Sequence, residues 1–316
     1  MKNILLPVAC FFLLVFPLCA QEDSLNLPLD KAFVFFREKV KANPESPYAS
    51  YGLARCYFLS EDYRKAASLS KKFISHKTDY RNDFLLLYAR SLLALGSQDK
   101  AIHVLSEAIC EAPENVLFYY YRAIAYYKNG DVSRAINDVL TCTRLKETFS
   151  AAHLLLGCLL YEKNNDRRAA IPLYYALFGN AKAPWAAQAT YMIYCLLAFR
   201  HENLVVPFRE ERLKIREVED ILACYCSSPA YKEWQPSVEH FVPSTTSYLL
   251  EVAGNLRSLA SCYDAFFSSL VSSPHLVTFS YYLLTSFSLP EVQEWYKTHS
   301  QELSSFAEWI DRVIKE

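Results

Sequence analysis

The strongest pattern in the sequence is a small apolar residue that returns at a nearly constant interval inside stretches of helical apolar periodicity. Four such residues are 35, 34 and 34 positions apart: Ala66, Ala101, Ala135 and Ala169. A second column of small residues stands twelve positions earlier in each copy: Ala54, Ala89, Ala123 and Gly157. A turn rich in polar residues or glycine separates the two columns, as in the segment NGD at 129–131. The interval predicts four copies of one structural unit.

Each copy is predicted to be a helical hairpin. Two helices of about a dozen residues approach closely only where both present a small side chain, and here each helix carries one small column. Large apolar residues follow the column that begins with Ala54 by three positions and are expected to fill the space beside the crossing: Tyr57, Leu92, Tyr126 and Leu160. One hairpin cannot bury its apolar faces alone, so the copies are expected to stack.

These features resemble the tetratricopeptide repeat family. The period, the paired small columns, the aromatic or leucine three positions after the Ala54 column and Pro113 near a repeat end all fit its pattern. The repeats are assigned to 47–81, 82–115, 116–149 and 150–183. Two copies depart from the pattern, with Thr78 and Glu147 in place of the terminal proline. The resemblance implies an all-α fold, an α-solenoid of hairpins whose first helices line a groove for ligands.

Sequence on both sides of the repeats is also predicted to be helical. Residues 21–46 contain a lone helix in the same phase, because Ala32 lies 34 residues before Ala66. Residues 184–316 form a C-terminal helical region. Its first helix is a candidate for the start of a degenerate fifth repeat, and the region is also a candidate cover for the end of the array. Within it we expect one helix over 209–226, an irregular connection over 227–246 and one amphipathic helix from Tyr248 to Leu270. A capping box from Ser288 to Glu291 is expected to begin the last helical stretch.

The first twenty residues have the layout of a secretory signal peptide. Lys2 precedes a nearly unbroken apolar run to Ala20, and acidic chain follows. The protein is therefore expected to be exported, periplasmic or secreted, with cleavage after Ala20. Two alternatives stay open, an uncleaved membrane anchor and a lipidated Cys19. No later segment is apolar enough to span a bilayer, so no integral span is expected after cleavage.

Charge and cysteine content narrow the classes of partner. Residues 21–316 carry 32 basic and 34 acidic side chains, and this balance favours neither nucleic acid nor an anionic membrane surface. Eight cysteines remain after the predicted leader, six of them within apolar helical patterns. Small buried side chains are the favoured interpretation, although export permits disulfides whose pairing the sequence leaves open.

Motifs for catalysis, metals or cofactors are missing from the sequence. The six glycines form neither a dinucleotide-binding nor a phosphate-binding loop, and the histidines form no H-E-x-x-H arrangement. No serine lies in a G-x-S-x-G elbow. His153, on the apolar side of a predicted helix, is interpreted as a packing residue. The protein is predicted not to be an enzyme and to need no cofactor or metal.

The predicted groove supplies the candidate binding residues. A stripe on the first helix of each repeat avoids both small columns and is rich in tyrosine and arginine, which are enriched at binding hot spots. The candidates are Tyr48, Tyr51, Arg55, Phe58, Leu86, Arg90, Tyr120, Tyr127, Leu154 and Tyr161. Arg55 and Arg90 hold equivalent positions and are expected to favour acidic groups. The alternative is that the aromatic residues only pack between helices and that the arginines are solvated.

The favoured function is a non-catalytic interaction module that binds a protein or peptide partner in the envelope or secreted space. The family's carboxylate clamp of lysine and asparagine is absent, since the matching positions hold other residues. One alternative is a carrier of an apolar small molecule or lipid, with the C-terminal helices closing the pocket. Another is a scaffold that oligomerises through exposed aromatic residues.

Overall fold

The computed structural model describes residues 27–164, 166–256 and 259–313, and throughout this part the chain consists of helices and their connections, with no strand. The all-α prediction is thereby confirmed. The predicted leader, residues 1–20, lies outside the described residues. No helix in the described ranges has the length and hydropathy needed to cross a bilayer.

Helices alternate with short turns over the region of the predicted repeats. They are α1 (Leu29–Ala42), α2 (Pro47–Leu59), α3 (Tyr63–Phe73), α4 (Arg81–Ala94), α5 (Gln98–Glu111), α6 (Val116–Lys128), α7 (Val132–Leu145), α8 (Ser150–Asn164) and α9 (Ala170–Gly179). Helices α2, α4, α6 and α8 are the first helices of the four hairpins. A short 3₁₀ turn, Arg167–Ala169, precedes α9.

Turn chemistry explains where these helices begin and end. Ser46 caps α2 by accepting a hydrogen bond from the amide of Ala49, and Asp62 caps α3 by accepting one from Lys65. After α4 and α6 the chain reverses through Gly96 and Gly130, whose φ angles of +73° and +81° are in the region that glycine tolerates best.

The two columns of small residues are buried in the hairpins. All seven alanines of the columns are fully buried: Ala54, Ala66, Ala89, Ala101, Ala123, Ala135 and Ala169. At Gly157 a Cβ atom would stand 2.7 Å from the Leu173 side chain of α9, so only glycine allows this approach. The recurring small residues are therefore buried in every hairpin, and in the fourth hairpin Gly157 marks a close approach of α8 and α9.

The described part of the chain divides into two compact units. The first contains residues 27–138 and Arg209–Arg216, and the second contains the described residues of 139–208 and 217–313. In the first unit α1 packs on α2 through Ala32, Phe36, Leu53 and Cys56, and Phe73 stacks on Phe84 at 4.9 Å. The second unit is built around a cluster of aromatic rings from α9, α15 and α16, among them Tyr175, Phe178, Phe266 and Phe279.

The C-terminal region contains more helices than the sequence pattern predicts. They are α10 (Ala186–Leu197), α11 (Arg209–Arg212), α12 (Val218–Tyr225), α13 (Pro229–Glu233), α14 (Val238–Val252), α15 (Ser261–Val271), α16 (Leu276–Leu283), α17 (Pro290–Thr298) and α18 (Ser300–Val313). The predicted single helix over 209–226 is wrong, because α11 ends after one turn. A capping box between Glu217 and Asp220 then begins α12.

Three further expectations in this region are also wrong. The proline-rich stretch 227–246 is largely helical, and Pro243 lies inside α14 rather than in a connection. The helix expected from Tyr248 to Leu270 is two helices, α14 and α15. Leu289 rather than Ser288 is the N-cap of α17, because Ser288 adopts a left-handed conformation with φ of +44°.

The cysteines fit the prediction of small buried side chains. Among the eight cysteines in the described part of the chain, all of them free thiols, only Cys110 is exposed and Cys224 is half-buried. Burial raises the pKa of the Cys195 thiol to about 11 and that of Cys262 to about 12. Thiols with such values remain protonated near neutral pH and are poor nucleophiles.

Candidate functional site

The first helices of the first unit pack side by side, α2 against α4 and α4 against α6. The candidate residues on these helices define what we call the first-helix surface: Tyr48, Tyr51, Arg55, Phe58, Leu86, Arg90, Tyr120 and Tyr127. Exposure divides this set. The residues of α2 and Arg90 are half-buried, whereas Leu86, Tyr120 and Tyr127 are buried. The accessible part of the surface therefore belongs to the first two repeats.

Arg90 occupies the centre of this accessible part. Its guanidinium lies 4.7 Å from the ring centre of Phe58 on α2 and 5.0 Å from that of Tyr121 on α6. Cation–π contacts of this length fix the plane of the guanidinium, whose edge carries the hydrogen-bond donors. Tyr121 follows Tyr120 directly and was not among the predicted residues. Only the folded chain shows that Tyr121 contacts Arg90.

Tyrosines of α2 continue the surface toward the start of the array. Tyr51 lies 5.8 Å from the Tyr80 ring and packs edge-on against Phe84 at 5.6 Å. Tyr48 contacts the Phe36 ring at 5.6 Å. These rings are held by neighbouring aromatic residues, which lowers the entropy lost when a ligand covers them.

Arg55 lies in different surroundings from Arg90. It lines an apolar cavity of about 300 Å³ between α1 and α2, with Ala32, Phe36, Cys56 and Leu59 among the other lining residues. Leu59 is 55% exposed at the rim. This cavity is wide enough for one apolar side chain of a ligand, and Arg55 adds a charge beside it.

Asp83, at the start of α4, adds a carboxyl group to the second repeat. Burial without a compensating charge raises its pKa to about 6. The group therefore changes charge in a range where most surface carboxylates are ionised. Sequence reasoning did not single it out, because burial rather than motif sets its properties.

The candidates of the fourth repeat lie in the second unit and are buried. Leu154 is fully buried and Tyr161 is 6% exposed. The Tyr161 hydroxyl donates to the carbonyl of His201 at 3.1 Å, and its ring packs against that of Tyr225 at 5.6 Å. The Tyr225 hydroxyl of α12 in turn donates to the carbonyl of Cys158 on α8. Helix α12 therefore lies on the part of α8 that the sequence assigned to ligand binding.

An equivalent contact occurs in the first unit, where residues 209–216 lie against the helix ends and turns of the repeats. Lys128, at the end of α6, is 3% exposed and donates to the carbonyls of Leu93 and Ile215, both at 2.8 Å. The Arg212 guanidinium lies 5.0 Å from the Tyr127 ring centre. No sequence pattern indicates this contact, because 87 residues separate Lys128 from its acceptor Ile215.

Metal-binding and titratable groups were the other candidates for a site. In the residues that the structure describes, no three histidine, cysteine, aspartate or glutamate side chains are grouped as ligands for a metal ion. His153 is 1% exposed, and its ring nitrogens lie 2.6 Å from the Tyr263 hydroxyl and 2.7 Å from the carbonyl oxygen of Glu147. Burial lowers the pKa of His153 to about 4, so the ring is neutral and joins α8 to α15.

Comparisons with known proteins place the repeat region in a family. Residues 29–108 match the family model described as anaphase-promoting complex, cyclosome, subunit 3, and residues 86–141 match the model described as tetratricopeptide repeat.

Several solved structures are similar to about half of this chain. The protein TTC0263 of Thermus thermophilus, described as a thermophilic TPR protein, is 20% identical over 54% of this chain and 91% of its own, with a TM-score of 0.47. MamA is 20% identical over 48% of this chain and 88% of its own, with a TM-score of 0.42. YrrB, described as a TPR protein with an unusual peptide-binding site, is 18% identical over 48% of this chain and 78% of its own, with a TM-score of 0.39.

The family models and the hairpins built on paired small residues agree. Proteins of this family are generally non-catalytic and act through protein–protein contacts. The chain contains tetratricopeptide repeats in the region that the family models match, residues 29–141.

Proposed function

We propose that this protein binds a peptide segment of a protein partner on the accessible part of the first-helix surface, formed by α2 and α4. The observation that carries the proposal is the position of Arg90 between the rings of Phe58 and Tyr121. It supplies an oriented charge next to the half-buried ring of Phe58 and the buried ring of Tyr121, and arginine beside aromatic rings is typical of binding hot spots.

The shape and chemistry of this surface favour a short peptide. The apolar cavity beside Arg55 accepts one apolar side chain, and the positive charge of Arg90 favours an acidic group of the peptide. The surface spans two neighbouring helices, and extended or helical peptides commonly bind repeats of this kind through a few anchors. We expect affinity from the rings and selectivity from the two guanidiniums.

An apolar carrier function is less well supported. A cavity of about 780 Å³ in the first unit is lined by Asp99, Asn129, Asp131 and Arg134 among other residues. Burying an apolar ligand against these groups would remove their hydration without replacing it. A peptide with polar main-chain groups fits such a lining better.

Selection from a displayed peptide library on the purified protein, residues 21–316, tests the proposal. Peptides enriched on the wild-type protein should bind the Arg90→Ala variant at least about tenfold more weakly, as expected for loss of a hot-spot residue. The matched control is Arg64→Ala, which removes an exposed guanidinium from the second helix of the first repeat. Equal affinity of all three proteins for the enriched peptides would contradict the proposed surface.

We also propose that the protein acts outside the cytoplasm, on the basis of the leader-like layout of residues 1–20. Mass spectrometry of the N-terminus of the protein expressed in its source should find a chain beginning at Gln21. A chain that retains residues 1–20 in the cytoplasmic fraction would contradict this.

A further inference from the structure

Residues 209–216 belong to the first unit, although the residues before and after them in sequence belong to the second. We call them the inserted segment. It begins with the single helical turn α11, and the amide of Ile215 then donates to the carbonyl of Arg212. The inserted segment is therefore a short, compact turn.

The repeats hold the inserted segment in three ways. The Lys128 ammonium donates to the main-chain carbonyl of Ile215, and the Ile215 side chain is 1% exposed. Arg212 lies over the Tyr127 ring. A lysine that donates to carbonyls recognises the path of the main chain, whereas the buried isoleucine and the aromatic contact recognise side chains.

A second arginine of the segment, Arg216, makes a cation–π contact with a tyrosine of the first repeat. The Arg216 guanidinium lies 5.5 Å from the Tyr63 ring centre, and its Nη1 lies 2.9 Å from Oε1 of Glu61. Two arginines four positions apart thus each lie on a tyrosine. We call the repeat residues that surround the inserted segment the receptor surface: Glu61, Tyr63, Leu93, Tyr127 and Lys128.

The inserted segment is only weakly attached to the repeats. Five of its eight residues are exposed: Arg209, Glu210, Leu213, Lys214 and Arg216. In the Arg216–Glu61 ion pair the arginine side chain is 49% exposed and the glutamate side chain is 63% exposed. Ion pairs that are exposed to this degree contribute little to stability. Helix α11 of the inserted segment has only four residues, too few to be stable alone. Ile215, its carbonyl and the ring contact therefore carry most of the attachment.

We propose that the receptor surface binds an arginine-bearing turn of a partner protein, with the pattern Arg-x-x-Ile-Arg, and that the inserted segment is an internal copy that the partner displaces. This rests on the proposed function and adds the chemistry of the partner. A tethered segment competes at an effective concentration of the order of millimolar. Hence a partner gains access only if it binds more tightly than the segment does or carries additional contacts to the first-helix surface.

A synthetic peptide of residues 207–218 provides the probe. The receiving protein is a variant in which residues 209–216 are replaced by eight glycines and serines. Fluorescence anisotropy should show binding to this variant and binding at least about tenfold weaker to wild type, because the tethered copy competes. The peptide with Arg212→Ala and Ile215→Ala is the control and should not bind. Failure of the wild-type peptide to bind a folded replacement variant would overturn the proposal.

A second design covers loss of folding in the replacement variant. The single variant Ile215→Ala keeps the segment but removes its buried side chain. Its amides at 213–215 should exchange with deuterium faster than in wild type while those of α6 do not, and it should bind the peptide more tightly than wild type does. Unchanged exchange and unchanged peptide binding would overturn the inference. Library peptides that still need Arg90 would then leave the proposed function intact.

Discussion

Lowering the pH should destabilise the second unit through His153. In the folded protein the two ring nitrogens of His153 form hydrogen bonds with the Tyr263 hydroxyl and the Glu147 carbonyl. Burial lowers the pKa of His153 from 6.5 to about 4. The unfolded chain therefore binds more protons than the folded chain between these two values. Stability from this group is complete above pH 6.5 and is lost as the pH falls toward 4.

The size of the effect follows from the two pKa values. From pH 7.5 to pH 4.5 the free energy of unfolding should fall by about 2 to 3 kcal/mol because of His153 alone. His275 also has a lowered pKa, caused first by burial and then by Arg312, and contributes with the same sign. A variant is therefore needed to separate the two histidines.

The assay is a urea titration at each pH, followed by a deuterium pulse at one common pH and mass spectrometry of the peptide covering α8. The variant His153→Gln keeps a donor and an acceptor but does not titrate. It should be less stable than wild type at pH 7.5, and its stability should depend less on pH by the amount assigned to His153. A pH dependence as steep as that of wild type would refute the assignment.

Three further predictions concern single contacts, each checked by urea denaturation. Gly157→Ala should destabilise by about 1 kcal/mol, because crowding of Leu173 outweighs the better helix propensity of alanine. Asp83→Asn should stabilise by about 1 to 2 kcal/mol above pH 6, where the buried carboxyl is ionised, and the gain should vanish as the pH falls to 4. Arg122→Ala should cost about 3 kcal/mol, because it leaves the buried Asp138 without its bidentate partner, and Asp138→Asn in the same protein should recover part of the loss.

The repeat region was predictable because its signal is local and recurs. Close packing at the hairpin crossing requires a small side chain at one place in each helix, so the requirement is visible as the columns of Ala54 and Ala66. Turn residues such as Gly130 mark the helix ends for equally local reasons. A pattern of small residues that recurs in four copies rarely arises by chance.

The C-terminal helices were not predictable to the same degree, because a break in a helix depends on tertiary contacts. Apolar periodicity continues through 209–226, yet the Glu217–Asp220 capping box begins a new helix and Ile215 packs against the first unit. Conversely, Pro243 suggested a connection, but a proline inside a helix removes one hydrogen bond and packing of α14 compensates for it.

The exposure of the candidate binding residues was not predictable from the sequence. Helical spacing places residues on one stripe of a helix, but spacing does not show which of them other parts of the chain cover. Tyr127 and Tyr161 are buried, whereas Tyr51 and Arg55 stay partly accessible. Contacts such as that of Lys128 with Ile215 join distant parts of the chain and arise only on folding.

The most direct test of peptide binding on the first-helix surface is photo-crosslinking with a peptide enriched from the displayed library. A photoreactive benzoylphenylalanine replaces Phe58 in one protein and Leu250, which is 60% exposed on α14, in another. Irradiation should join the peptide to position 58 and not to position 250. Crosslinking at 250 with none at 58 would contradict the proposal that α2 and α4 form the binding surface.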